Sequence, residues 1–239
     1  MIGLTLQIIL LAALASTAGL GVVGWMMGVA YGLIASILLT VSAYRAGVTA
    51  YGPADWVTQT RATLVGCVTA LTADSPHGGT PVRLLVGIAT VALVFDAIDG
   101  QVARRTGTVS GFGARFDMEV DAFLILVLCV YVQRSAGAWV LAIGAMRYAY
   151  VAMGRVLPWL RGTLPYRYWR KVVAAVQGIV LVIASAGVLP TVLTVAALAG
   201  ALALLVESFG RDVVWLWRRR VAEPTRQLTA SVAGSPGEG

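Results

Sequence analysis

The sequence predicts an all-α integral membrane protein, built as a polytopic bundle of transmembrane helices. Hydrophobic residues make up 59% of the chain and charged residues only 12%, whereas a typical soluble domain carries about 25% charged residues. Apolar segments of roughly 20 residues recur along the chain, and each is long enough to cross the hydrocarbon core as a helix. Because the polar segments between them are short, one bundle accounts for nearly all of the 239 residues.

The first two expected spans are residues 3–20 and 23–44, separated by a turn that contains glycine. No basic segment precedes the first span, and no cleavage site is evident after it. We therefore expect this segment to be a retained transmembrane helix and not a signal peptide.

A polar stretch, AGVTAYGPADWVTQTR, follows at residues 46–61. It is too polar to span a membrane, and Trp56 suits the level of the lipid headgroups, so we expect an interfacial segment. Arg61 would then lie at the mouth of the third span. The six remaining expected spans are residues 62–73 (extended by the interfacial segment), 82–99, 117–133, 136–153, 171–188 and 191–209.

The basic residues behind the net charge of +7 are almost all arginines, since the chain holds a single lysine. With eight spans, most of them fall in loops on one side of the membrane, and the other side receives Arg83 and Arg134. Cytoplasmic loops retain positive charge, so we expect both termini to be cytoplasmic, and the charge requires no nucleic-acid partner. Arginine in place of lysine, with abundant alanine and glycine, suggests a GC-rich bacterial genome and hence the bacterial plasma membrane.

Four aspartates lie at the cytoplasmic ends of two consecutive expected spans, in the run FDAIDGQVARRTGTVSGFGARFDMEVDAF at residues 95–123. Asp96 and Asp99 are spaced i, i+3, and Asp117 and Asp121 are spaced i, i+4, so each pair occupies one helix face. A carboxylate near the apolar zone is costly unless it is paired, coordinated or hydrated, so such acids usually mark function. Two antiparallel helices could point the four carboxylates at one another.

Acidic clusters that contain no histidine or cysteine suit hard divalent cations, most simply Mg²⁺ or Mn²⁺, which are often shared with substrate phosphates. The residues between the two pairs also suit a phosphate. Gly100 and Gly113 allow close approach of a ligand, Ala103 is small, and Arg104 offers a guanidinium fork to phosphate oxygens. The hydroxyl of Ser110 or of a nearby threonine could add a further contact.

From Asp96 to Asp121 the chain reads D-x-x-D-G-x-x-A-R-x8-G-x-x-x-D-x-x-x-D. This pattern resembles the signature of the CDP-alcohol phosphotransferase family. The resemblance implies a core of six transmembrane helices, usually dimeric, and hence a homodimer. The expected division is then residues 1–45 as two additional transmembrane helices and 46–215 as the catalytic core with its interfacial segment. Residues 216–239 are expected to be a basic juxtamembrane segment with a disordered cytoplasmic tail from Ala222 to Gly239.

The resemblance extends upstream to D-W-V-T-Q-T-R, where the family often carries asparagine, threonine and arginine. Thr58 and Arg61 match this pattern, whereas Asp55 stands in place of the asparagine. The resemblance implies that Thr58 and Arg61 bind the CDP diphosphate together with the phosphate-binding residues between the aspartate pairs.

The family reaction moves a phosphate-containing group from a CDP-linked donor to an alcohol and releases CMP. By resemblance, Asp96, Asp99 and Asp117 would hold two Mg²⁺ or Mn²⁺ ions on the donor diphosphate. Asp121 would be the base that takes the proton from the attacking hydroxyl, and also a metal ligand.

A site at the membrane boundary favours CDP-diacylglycerol as the donor, because the acyl chains can stay in membrane lipid while the diphosphate reaches water. The acceptor is expected to be a small polar alcohol. Basic residues that could bind a phosphate on it, as in glycerol 3-phosphate or inositol phosphate, are Arg147, Arg155, Arg170 and Lys171. The alternative interpretation of these residues is loop topology and contact with anionic headgroups.

Two other functions fit parts of the pattern. A CDP-aminoalcohol phosphotransferase would use a soluble CDP-linked donor and diacylglycerol as the acceptor. A divalent-cation transporter would also place acidic groups in a membrane, but it would need polar groups across the whole bilayer depth and would not need the G-x-x-A-R segment.

Overall fold

The computed structural model describes the backbone of residues 2–45, 53–75, 81–106, 111–162 and 168–233, and the side chains of residues 3–41, 44, 58–75, 81–96, 117–160, 162 and 168–220. Within these residues the protein is entirely helical, which confirms the predicted all-α class. The α-helices are α1 (Ile2–Ala18), α2 (Val22–Arg45), α3 (Pro53–Asp74), α4 (Val82–Thr106), α5 (Gly111–Ala136), α6 (Leu141–Val156), α7 (Tyr168–Ala186) and α8 (Thr191–Ala233).

Each of the eight expected spans corresponds to one helix, but several helix ends differ from the prediction. Helix α4 continues past Asp99 to Thr106, and α5 begins at Gly111, so both aspartate pairs lie inside helices. The expected span at 136–153 is divided, because Gly137 has a φ of 97° and ends α5 before a short 3-10 turn leads into α6. A left-handed φ of this kind suits glycine, which has no Cβ to clash.

The last helix also continues beyond the expected span. Helix α8 reaches Ala233, although the sequence predicts a disordered tail from Ala222 onward. The residues from 211 to 233 contain no glycine, so the first strong helix-breaking signal on the C-terminal side, apart from Pro224, is Gly234. Residues 234–239 lie outside the described residues.

Three of the described helices are long and apolar enough to cross a membrane by length and composition, namely Val22–Val41, Tyr168–Ala186 and Thr191–Arg220. The apolar helix over Gly3–Ala18 is shorter. Helices α3, α4 and α5 carry the polar and charged residues of the aspartate-rich region, which lowers their hydropathy. The arrangement is that of a polytopic helical membrane protein.

Helix α3 occupies the centre of the bundle and packs against α1, α2, α4 and α5. Its apolar residues are almost fully buried, including Val65, Val68 and Leu71. Four of its five threonines are also buried. The hydroxyls of Thr63 and Thr69 donate hydrogen bonds to the carbonyl oxygens of Gln59 and Val65, one turn earlier. The internal hydrogen bonds allow a threonine-rich helix to lie in an apolar environment.

The other helices surround this centre. Helix α7 packs against α8, α5 and α4, and α6 packs against α5 and α8. The bundle therefore brings α3, α4 and α5 together at one place, and that place holds the aspartates.

Close approach of α6 to α5 depends on Gly144. This residue is buried, and a Cβ on it would lie 2.6 Å from the Cα of Leu126 on α5. The clash would involve backbone, which cannot rotate away as a flexible side chain can.

We therefore expect Gly144→Ala to destabilise the protein by about 1–3 kcal/mol, the usual cost of overpacking. The matched control is Gly200→Ala on α8, where a Cβ would meet no atom within 4 Å and alanine should favour the helix. Thermal unfolding in detergent should show a lower Tm for the first variant and an unchanged or higher Tm for the second. Equal Tm values in the two variants would contradict the close α5–α6 packing.

Candidate functional site

The candidate site is a cluster of one arginine and three aspartates contributed by three helices. Arg61 comes from α3, Asp96 from α4, and Asp117 and Asp121 from α5. The Nη1 atom of Arg61 lies 3.2 Å from Oδ1 of Asp96 and also pairs with Oδ1 of Asp117. Its Nη2 atom donates to Oδ1 of Asp121. A single guanidinium group thus joins all three carboxylates.

Burial differs sharply between the arginine and its partners. The Arg61 side chain is 1% exposed, whereas the side chains of Asp96, Asp117 and Asp121 are 42%, 30% and 34% exposed. The guanidinium therefore lies on the inner side of the cluster, and the carboxylates open toward its accessible side. A ligand can reach the carboxylates without passing the arginine.

The three carboxylates could hold a metal ion. One oxygen from each of Asp96, Asp117 and Asp121 lies within 4.8 Å of the corresponding oxygen of the other two. Three carboxylates and one guanidinium sum to a formal charge of −2 among these described groups, and one divalent cation would balance it. Oxygen donors of this kind suit Mg²⁺ or Mn²⁺.

The fourth aspartate of the motif is only partly described. Asp99 lies on α4, one helical turn after Asp96, and its side chain lies outside the described residues. Its assignment as a metal ligand stays a prediction. The structure brings together the other three aspartates of the motif.

The pairing of Arg61 with the aspartates was missed at the level of sequence, where Arg61 was expected to bind a diphosphate. The available signal was a charged residue at the start of an otherwise apolar segment, because a buried arginine requires anionic partners. Thr58 lies one turn before Arg61 on α3 and is also buried. Both matching positions of the upstream pattern are thus buried near the same face of α3.

The residues expected to bind the CDP phosphates between the aspartate pairs are less fully described. Gly100, Ala103 and Arg104 lie in the last turns of α4, and Gly113 lies in the first turn of α5. Their surroundings lie outside the described side chains, and Ser110 lies outside the described residues altogether. Their phosphate-binding role stays a prediction.

Two of the basic residues expected to bind an acceptor form ion pairs between helices. Arg147 on α6 pairs with Glu119 on α5, and Arg170 on α7 lies 3.5 Å from the buried carboxylate of Asp212 on α8. These contacts give both arginines a structural role. Arg155 and Lys171 are exposed, at the end of α6 and near the start of α7.

An aromatic residue that the sequence did not single out lies beside the cluster. The ring of Tyr31 on α2 stacks on the ring of Phe123 on α5, with centroids 4.9 Å apart and an interplanar angle of 26°. Phe123 is two residues after Asp121. No local sequence signal distinguishes Tyr31 from the other aromatic residues of the apolar spans.

Comparison with known protein families gives a match to most of the chain. The family model described as CDP-alcohol phosphatidyltransferase matches residues 51–207, which include α3 to α7 and the first part of α8. No curated protein and no solved structure matches the chain. Helices α1 and α2 lie outside the matched residues.

Removing the guanidinium should leave the carboxylates without their shared counter-charge. We expect Arg61→Met to lower the Tm in metal-free buffer, because unpaired charges near the apolar zone destabilise the fold. Added Mg²⁺ should raise the Tm of this variant more than that of the wild type, since the cation takes over the charge balance.

Arg134→Met is the matched control for this prediction. Arg134 lies at the opposite end of α5 and donates to the hydroxyl of Ser75. Its loss should leave the response to Mg²⁺ unchanged. If Mg²⁺ raised the Tm of Arg61→Met no more than that of the wild type, the carboxylates would not be the site of cation binding.

Proposed function

The chain belongs to the CDP-alcohol phosphatidyltransferase family, and from this membership we propose that it moves a phosphatidyl group from CDP-diacylglycerol to an alcohol acceptor and releases CMP. The observation that carries the proposal is the convergence of Asp96, Asp117 and Asp121 on one point, with their oxygens within 4.8 Å of one another. Family membership gives the class of reaction, and the carboxylate cluster supports metal-assisted transfer of a phosphate-containing group.

The aspartates would hold the metal and one of them would also move a proton. Asp96, Asp99 and Asp117 are the proposed holders of Mg²⁺ or Mn²⁺, and Asp121 is a further proposed ligand. When bound, the divalent ions supply positive charge to the donor diphosphate and to the departing CMP. Asp121 takes the proton of the acceptor hydroxyl while the acceptor oxygen bonds to the phosphorus of the phosphatidyl group. The bond from that phosphorus to the bridging oxygen of CMP breaks in the same transfer.

Arg61 supports this chemistry in two ways. Its guanidinium contacts Asp121 and holds that carboxylate beside Asp96 and Asp117. Its planar fork also matches phosphate oxygens. We propose that Arg61 exchanges part of its carboxylate contacts for the donor diphosphate, assisted by Thr58 and by the small residues Gly100, Ala103 and Gly113 with Arg104 and Ser110.

The substrates are proposed from the position of the site. The cluster lies toward the end of α4 and the beginnings of α3 and α5, so a lipid donor could keep its acyl chains between helices and lipid. Arg155 and Lys171 are the exposed basic residues proposed for an acceptor phosphate. Arg147 and Arg170 would have to exchange their carboxylate partners Glu119 and Asp212 to take part.

The organisation of the protein in the membrane is part of the same proposal. Residues 46–215 form the catalytic core, residues 1–45 an added pair of helices, and two chains form a homodimer. The asymmetry of arginine between alternate loops supports a site and termini on the cytoplasmic side of a bacterial plasma membrane.

The experiment is CMP release by the purified full-length protein with CDP-diacylglycerol and Mg²⁺, measured with glycerol 3-phosphate, inositol phosphate, inositol and serine as acceptors. We expect release with one acceptor, and a loss of about 100-fold or more in Asp121→Asn, since a general base contributes at least this factor. Chelation of the metal should also stop release.

Asp74→Asn is the matched control, because it makes the same chemical change at the far end of α3. Asp74 accepts a hydrogen bond from the backbone N–H of Gly21 at 2.9 Å, and asparagine can still accept it. If CMP were released from a CDP-aminoalcohol in the presence of diacylglycerol, and not from CDP-diacylglycerol, the protein would be a CDP-aminoalcohol phosphotransferase. Release from neither, together with Mg²⁺ flux into proteoliposomes, would replace the proposal with cation transport.

A further inference from the structure

Helices α1 and α2 form a hairpin that lies outside the residues matched by the family model. We propose that this hairpin contributes to the site, because Tyr31 on α2 is a positioning residue that holds Asp121 in place. The inference rests on the proposed function for its kinetic consequences, but its structural basis is independent of the substrate.

The hairpin is fixed to α3 at the C-terminal end of that helix, remote from the cluster of Asp96, Asp117 and Asp121. The backbone N–H of Gly21, just before α2, donates to Asp74 at the end of α3. A Cβ on Gly24 would lie 2.9 Å from the carbonyl oxygen of Ala70. A Cβ on Gly28 would lie 3.1 Å from the Cβ of Ala70. Glycines at both positions therefore let α2 approach α3 closely, as small residues do between membrane helices.

Helix α1 is fixed to α3 as well. The side chain of Gln7 is 1% exposed and fills the space beside Gly66 on α3, where a Cβ would overlap it. It also lies against Gly32 on α2. Near the start of α1, the side chain of Gln59 occupies the space beside Gly3. Since Gln59 is two residues before Arg61, the contact extends to the level of the site.

The register of the hairpin carries Tyr31 to within about one helical turn of Arg61. Tyr31 is ten residues along the chain from Gly21, about 15 Å of helix, and Arg61 is thirteen residues from Asp74, about 20 Å. Because Gly21 and Asp74 are hydrogen-bonded and α2 runs back along α3, Tyr31 lies about one helical turn short of the level of Arg61. Its phenol interacts electrostatically with the Arg61 guanidinium and with Tyr148 on α6.

The contact with α5 gives Tyr31 its effect on Asp121. Its ring stacks on Phe123, on the turn of α5 that also carries Asp121. The Asp121 side chain is 34% exposed, so neighbouring protein atoms do not enclose it completely. The stacked rings of Tyr31 and Phe123 restrain this turn of α5 from the side of α2. Without the ring, the Asp121 carboxylate would lose its fixed position relative to Asp96 and Asp117.

The test compares Tyr31→Leu with Tyr31→Phe in the full-length protein. Affinity for Mg²⁺ is measured from the dependence of the Tm on Mg²⁺ concentration, and turnover from CMP release. We expect Tyr31→Leu to bind Mg²⁺ about tenfold more weakly and to lose about tenfold in kcat with an unchanged KM for the donor, since small displacements of reacting groups are costly. Tyr31→Phe keeps the ring and should restore both values.

Two further variants separate positioning from general stability. Phe123→Leu should reproduce the loss, and Tyr31→Leu combined with Phe123→Leu should lose no more than either alone, because the two rings act as one unit. Tyr44→Leu is the control on the same helix, since Tyr44 is 88% exposed, and it should bind Mg²⁺ and turn over as the wild type does.

Wild-type Mg²⁺ affinity and kcat in Tyr31→Leu, or additive losses in the double variant, would overturn the inference. If Tyr31→Leu does not fold, the single variants Phe123→Leu and Tyr31→Phe are compared instead. A loss of Mg²⁺ affinity and kcat in Phe123→Leu but not in Tyr31→Phe would support the inference, and wild-type values in Phe123→Leu would overturn it. If the wild type releases no CMP, the proposed function fails and Mg²⁺ affinity alone tests Tyr31. If Mg²⁺ leaves the wild-type Tm unchanged, the kcat and KM values decide.

Discussion

The structure depends on the pairing of three carboxylates near the apolar interior with one buried guanidinium. Arg61 is 1% exposed and contacts Asp96, Asp117 and Asp121 from two other helices. Each of these charges would be costly in an apolar environment alone, and together they are stabilised by mutual attraction. The cluster therefore joins α3, α4 and α5 at the point where the chemistry is proposed to occur, and the same residues serve packing and function.

This constraint explains the distribution of hydropathy among the helices. The helices that qualify as spans by composition are α2, α7 and α8, which expose many large apolar side chains such as Ile34, Ile179 and Val192. Helix α3 is surrounded by other helices and can carry Thr63, Thr69 and Arg61, because these polar groups find partners within the protein. The central helices are thus less apolar because they are shielded from lipid and carry the site.

The hairpin of α1 and α2 packs closely against α3 and is an integral part of the bundle. Close approach at Gly24, Gly28 and Gly66 leaves no room for lipid between the hairpin and α3. Helix α2 also reaches α5 through the stacked rings of Tyr31 and Phe123. Residues outside the family match are thus in contact with the helix that carries Asp117 and Asp121, and a boundary drawn from the family model does not coincide with a boundary in packing.

The sequence by itself determined the helical class, the number of helices and the candidate aspartates, because these follow from local information. A span is defined by consecutive apolar residues, and the i, i+3 and i, i+4 spacings place carboxylates on one helix face whatever lies around them. Helix ends were less predictable: α4, α5 and α8 all extend beyond their apolar segments. Only the tertiary structure decided that Arg61 pairs with aspartates 56 and 60 residues away and that Tyr31 lies on Phe123. Such partners are chosen by the packing of helices distant in the chain, and no spacing within one helix records that choice.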